Sequence, residues 1–80
     1  MKEWKGTMQT DNFIAKVIVY LEEALDSSPG DWHGHGITLS PLCEPGEYKT
    51  NIGNIVIDRN DLITTGYMFY FVGQGKPKLT

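Results

Sequence analysis

The chain has 80 residues, a formal net charge of −3, 40% hydrophobic residues and a single cysteine. This length suits one domain over residues 1–80, which buries roughly 60–65% of its unfolded surface. The acidic balance argues against a general nucleic-acid binder, because such proteins need a basic face to neutralise phosphates.

One cysteine cannot form an internal disulfide, and no apolar run approaches the roughly 18–20 residues of a membrane span. The N-terminus also lacks a signal-peptide core. We therefore expect a soluble, intracellular protein.

Residues 1–10, MKEWKGTMQT, are mostly polar, with Trp4 and Met8 spaced four positions apart. The pattern fits a short strand, a helical turn or an arm, and we expect an N-terminal arm. A tryptophan in such an arm would dock on its own domain or on a neighbouring chain. Trp4 is therefore a candidate protein-interaction residue.

Residues 11–27 are predicted to form an amphipathic helix that Thr10 or Asp11 caps. Apolar residues recur at helical spacing, namely Phe13, Ile14, Val17, Ile18, Leu21, Ala24 and Leu25. The β-branched stretch over residues 14–20 is also compatible with a strand. The strong helix formers Leu-Glu-Glu-Ala-Leu favour the helix. It should end near Ser27, because Pro29 disfavours helical geometry in the residue before it.

Residues 36–72 are predicted to be rich in β-structure. The glycine-rich segment over residues 29–36 is expected to be a loop, followed by a short strand over residues 37–39. Residues 41–51 contain two prolines and a glycine, which predicts a second loop with a strand over residues 48–50. The last residues, 73–80, are expected to form an exposed tail.

The densest β-forming sequence lies between Ile52 and Val72. We expect two strands joined by a turn over residues 58–61, since Asn and Asp tolerate turn conformations. Four side chains of this hairpin are predicted to be buried: Ile55, Ile57, Leu62 and Phe69. The predicted fold class is therefore α+β, with one N-terminal amphipathic helix packed on a small curved antiparallel sheet or incomplete β-barrel.

Asp31, His33, His35, Cys43 and Glu44 form the single cluster of metal-ligand residue types. The two histidines of the His-x-His pair would lie on one side of an extended segment, and Cys43 or a carboxylate could complete a zinc site. No second His or Cys pair occurs at a standard spacing, so ordinary polar loop residues are the favoured interpretation. We expect no metal, no cofactor and no catalytic residues, because no nucleophile motif or phosphate-binding loop is present.

The strand over residues 67–72 is apolar on both of its faces, which is typical of a strand inside a sheet. A single helix cannot cover both faces of that sheet. We therefore expect a homo-oligomer or a protein partner that contacts Tyr67, Met68 or Tyr70, with Trp4 as a second contact. Neither a membrane nor a nucleic acid is expected as a partner.

The order of these motifs resembles short baseplate-associated proteins of phage tails and prophage-derived tail particles. Members of that group open with an amphipathic helix, continue into a Gly-Thr-containing strand that ends in Ser-x-Pro-Leu, and then form a hydrophobic hairpin. Here Gly-Ile-Thr-Leu-Ser-Pro-Leu occupies residues 36–42, and the hairpin pattern occupies residues 52–63. Residues 43–51 are an insertion relative to that group. The resemblance implies a small β-barrel with a structural role in a tail assembly and no catalysis.

The leading hypothesis is thus a non-enzymatic assembly protein of the phage-tail type, located in the host cytoplasm or in the virion. One alternative is a small phage-encoded inhibitor that binds and blocks a host protein. A third is a metal-binding domain built on His33, His35 and Cys43.

Overall fold

A computed structural model describes residues 2–21, 32–40 and 44–78, which form a single antiparallel sheet of six strands. The strands are β1 Lys2–Gln9, β2 Ile14–Leu21, β3 Trp32–Thr38, β4 Gly46–Thr50, β5 Gly53–Ile63 and β6 Gly66–Gln74. Their order across the sheet is β1-β2-β3-β6-β5-β4. The chain therefore builds two three-stranded meanders, and these join where β3 pairs with β6.

The predicted α+β class is wrong: the described residues form an all-β sheet without a helix. Much of the predicted helix, residues 11–27, is instead strand β2. Phe13, Ala15, Val17 and Val19 are buried in alternation with more exposed neighbours. A period of two is the pattern of a strand with one buried face, and the β-branched residues of this stretch suit a strand better than a helix. Residues 22–27, with most of the Leu-Glu-Glu-Ala-Leu segment, lie outside the described residues.

The predicted helix cap at Thr10 is a hairpin turn between β1 and β2. The Thr10 hydroxyl accepts hydrogen bonds from the backbone N–H groups of Asn12 (3.0 Å) and Phe13 (3.1 Å). The backbone N–H of Thr10 donates to the carbonyl of Phe13 at 2.9 Å and closes the turn. Threonine bonds to the backbone in this way in turns as well as in helix caps, so the side chain alone does not distinguish the two.

Both ends of the described chain contribute strands. Lys2–Gln9, within the expected arm, is the edge strand β1. Gly73 and Gln74, at the start of the expected tail, extend β6. Beyond them, the backbone N–H of Lys78 donates to the carbonyl of Ile52 at 2.7 Å.

The glycine-rich stretch before residue 37 is not a loop over the residues described, because β3 already begins at Trp32. In β3, Trp32, Gly34 and Gly36 are buried, whereas His33 and His35 are half-buried. The glycines replace large side chains on the inner face, so the strand carries little of the hydrophobic signal that strand prediction depends on.

The predicted turn over residues 58–61 is also wrong. β5 continues through it to Ile63, with a register irregularity between Ile57 and Arg59, and the chain turns at Thr64 and Thr65. Such a bulge lets a strand bend without ending. Leu62 was expected in the core, yet it is 77% exposed. It lies near the tip of the β5–β6 hairpin, where most of its neighbours on β5 are exposed too.

The inner face of the sheet forms one hydrophobic core, and the sheet curls around it. Ile55, Ile57 and Phe69 are buried there, as predicted. The rest of the buried hydrophobic set is Met8, Phe13, Ala15, Val17, Val19, Trp32, Ile52 and Phe71. The Phe13 ring at the start of β2 contacts the Tyr48 ring of β4 edge-on, with ring centroids 5.8 Å apart. This contact joins the β1–β2 turn to β4, the strand at the opposite edge of the sheet.

The junction between β3 and β6 pairs aromatic side chains with glycines. Gly34 is paired with Phe71 and Gly36 with Phe69 in the β3–β6 ladder, and each ring lies where a side chain on the glycine would project. The Trp32 ring occupies the corresponding space over Gly73. Rings on each strand thus lie over glycines of the other, which closes gaps that the missing side chains would leave.

Truncating Ile57 tests the position of the core. Ile57→Ala should lower the free energy of unfolding by ~2–5 kcal/mol, through lost burial and a residual cavity. Leu62→Ala is the matched control and should change it by less than about 0.5 kcal/mol, the usual range for surface substitutions. Urea denaturation measures both. Equal losses would show that the hairpin tip is packed.

Adding one methyl group tests the aromatic–glycine junction. Gly73→Ala should destabilise the fold by about 1–3 kcal/mol, because the new Cβ would overlap the Trp32 ring. In a Trp32→Ala background the same change should have a much smaller effect. Thermal unfolding of the four proteins gives the coupling, and additive effects would contradict the contact.

Candidate functional site

The face of the sheet opposite the core is largely apolar on three adjacent strands, β2, β3 and β6. We call this surface the outer face. Its side chains are Ile14, Lys16, Ile18, Tyr20, His33, His35, Ile37, Met68, Tyr70 and Val72. With the histidines neutral, Lys16 carries the only charge in this set. The solvent side of an antiparallel sheet is ordinarily polar, so this composition is typical of a surface that contacts another molecule.

Four rings form the centre of the outer face, and we call them the Tyr–His cluster: Tyr20, His33, His35 and Tyr70. The Tyr20 ring lies near both histidines, with centroids 6.0 Å from His33 and 5.8 Å from His35. The His35 and Tyr70 rings are 6.3 Å apart. Cross-strand pairing places these side chains together, since His33 is opposite Tyr20 and His35 is opposite Tyr70.

Tyr70 also has neighbours on the side towards β5. The Arg59 guanidinium lies 4.6 Å from the centre of its ring, a cation–π arrangement. The Tyr70 hydroxyl donates to the Met68 sulfur at 3.2 Å. These contacts hold the ring in place on the surface, which lowers the entropy lost when a partner covers it.

Aliphatic side chains flank the cluster and are well exposed. Ile14 is 62% exposed, Ile37 is 41% exposed and Val72 is 37% exposed. A shallow groove of ≈ 440 Å³ runs across β1, β2 and β3 and includes Ile37. It is lined by Lys5, Gly6, Thr7, Lys16, Val17, Ile18, His35 and Ile37.

The structure separates the four residues predicted to contact a partner. Met68 and Tyr70 lie on the outer face. Trp4 and Tyr67 are half-buried and pack against the core on the inner face. Sequence reasoning missed Tyr20, because assignment of residues 11–27 to a helix placed it on no sheet. The sequence signal that favoured a strand was the β-branched content of residues 14–20, with Ile14, Val17, Ile18 and Val19.

The predicted metal-ligand candidates are only partly within the described residues. His33 and His35 share one side of β3, as an extended His-x-His segment requires, and Tyr20 lies beside both. Cys43 and Asp31 lie outside the described residues, while Glu44 is exposed. Across residues 2–21, 32–40 and 44–78 no group of three or more His, Cys, Asp or Glu side chains could hold a metal ion.

No protein-family model, no curated protein and no solved structure matches this chain. Within the described residues, no helix is long and apolar enough to cross a membrane.

The two histidines allow a direct test for metal. Protein purified without an affinity tag should contain no stoichiometric zinc by elemental analysis, because two imidazoles fill only half of a tetrahedral zinc site. Zinc that remains after dialysis, and disappears in a His33→Ala, His35→Ala double variant, would contradict this expectation.

Proposed function

We propose that this chain is a non-enzymatic assembly protein that works through protein–protein contacts, of the kind found in phage-tail baseplates. The outer face is the surface through which it contacts its neighbours. Ordered aromatic rings at the centre, aliphatic side chains around them and charges at the margin match the composition of protein interfaces.

The observation that carries the proposal is the exposure of this apolar surface on the middle strands of the sheet. Ile14, Ile37 and Val72 belong to three adjacent strands and are all substantially exposed. Ile14 and Ile37 lie towards one end of the outer face and Val72 towards the other, and the half-buried rings of the Tyr–His cluster connect them. Isolated exposed hydrophobic residues are common, but a contiguous group marks a contact surface. When a partner covers such a group, the apolar area removed from water stabilises the complex by roughly 25 cal/mol per Å². The entropic costs of association offset part of this gain.

The link to phage tails comes from the order of the sequence motifs. The strand motif over residues 36–42 begins in β3, whereas residues 53–63, where the resemblance implied a hairpin, form the single strand β5. The helix that the resemblance implied is likewise absent over residues 14–21, which form β2. The outer face supports an assembly role independently of that resemblance.

Size fractionation of cells that carry the gene tests the proposal. The chain should migrate with a particle far larger than one copy, and a Tyr70→Lys variant should move to the low-mass fractions. Lysine at the centre of the outer face places a charge where the partner would have to desolvate it. Asn54→Lys is the matched control, since Asn54 is exposed on β5 and pairs with Gln74, away from the Tyr–His cluster.

Two results would contradict the proposal. One is a wild-type chain found only in the low-mass fractions. The other is a stoichiometric complex with one host enzyme that loses its activity on binding, which would make the chain an inhibitor instead.

A further inference from the structure

The edge strand β1 has a row of backbone hydrogen-bonding groups that point away from the sheet. Thr10 and Phe13 form a hydrogen-bonded pair at the β1–β2 turn. Hydrogen-bonded pairs alternate in an antiparallel ladder, so the even-numbered residues of β1 bond to β2. The backbone N–H and C=O groups of Glu3, Lys5, Thr7 and Gln9 therefore face outward.

At the C-terminal end of β1, outward-facing backbone groups already have hydrogen-bond partners within the chain. The Gln9 carbonyl accepts from the Asn51 backbone N–H at 3.2 Å, and the Gln9 N–H donates to the Asn51 side chain at 2.6 Å. The Asn51 amide also donates to the Thr7 carbonyl at 3.0 Å. No partner for the outward groups of Glu3 and Lys5 occurs in the described part of the chain. Among the described residues, the outward backbone groups of Glu3 and Lys5 are thus the ones that β1 offers to another strand.

The charges of Glu3 and Lys5 are complementary to those of the same two residues in a second copy of the chain. Glu3 and Lys5 are exposed and form an ion pair at 3.3 Å within one chain. When two β1 strands pair antiparallel with residue 3 opposite residue 5, each Glu3 faces the other copy's Lys5. Both residues have outward backbone groups, so this register also satisfies the alternation of hydrogen-bonded pairs.

We infer that β1 is a self-association edge, through which two copies of this chain join their sheets about a two-fold axis at Trp4. The occupant of the edge is β1 of the second copy, because charge and hydrogen-bond register agree on that pairing. The inference rests on the proposed function and deepens it by assigning one contact of the assembly, and it uses none of the side chains that define the outer face.

Lysines on an edge strand usually discourage pairing with other chains. In β1, Lys5 lies two residues from Glu3, and in the antiparallel register this spacing places each lysine opposite an acid of the other copy. A parallel pairing in register would place Glu3 against Glu3 and Lys5 against Lys5. The charges therefore select the symmetric, antiparallel dimer, which is the arrangement that closes.

Reversal of the charge at position 3 or at position 5 tests this inference on the purified full chain. Glu3→Lys and Lys5→Glu each place like charges opposite one another across the dimer. Each should weaken dimerisation on the order of tenfold in sedimentation velocity at low salt. An equimolar mixture of the two variants restores both opposite-charge pairs and should dimerise as the wild type does.

The mixture isolates the contact between chains, because neither variant keeps the ion pair within its own chain. The double variant Glu3→Lys, Lys5→Glu should also dimerise. Lys5→Pro should abolish dimerisation yet keep the fold, since it removes an outward N–H that makes no bond to β2. Circular dichroism and urea unfolding check the fold of each variant.

A wild type that stays monomeric at high micromolar concentration would overturn the inference. So would a dimer that the single charge changes leave intact, or one that mixing fails to restore. A dimer sensitive to Tyr70→Lys but not to these changes would move the contact to the outer face. That result would refute the β1 edge while leaving the proposed function standing.

Discussion

The fold depends on the pairing of β3 with β6, since within the described residues it is the strand pairing that joins the two meanders into one sheet. Glycine and aromatic residues make it possible. Phe69 and Phe71 of β6 lie over Gly36 and Gly34 of β3, and Trp32 of β3 lies over Gly73 of β6. The Trp32 indole N–H then donates to the Gly75 carbonyl at 3.0 Å. Large rings thereby fill the core of a short chain without crowding it, because each faces a position with no side chain.

The same junction determines what lies on the outer face. A residue that alternates with an inward ring or glycine must point outward, so His33, His35 and Tyr70 share one surface. Tyr20 joins them from β2 because it is opposite His33. One strand register therefore places the core residues on the inner face of the sheet and the candidate contact residues on the outer face. A one-residue slip in this pairing would exchange them.

The two proposed interaction surfaces differ in their physical basis. The outer face offers apolar area and ordered rings, and its contribution to binding grows with the area it removes from water. The β1 edge offers the outward backbone groups and the two charges of Glu3 and Lys5, which fix register and direction more than they add affinity. An assembly that uses both could form its dimers through β1 and then pack them through the outer face.

The sequence by itself determined the inward positions of Ile55, Ile57 and Phe69 and the alternation in β6, because β-branched and aromatic residues with a period of two predict a strand directly. It did not determine β2, where residues 14–21 fit helical spacing and strand spacing alike. Only pairing with β1 and β3 decided for the strand, since those hydrogen bonds are non-local. The Tyr–His cluster could not be predicted from the sequence either. Its rings come from three strands separated along the chain, and only the tertiary register brings them together.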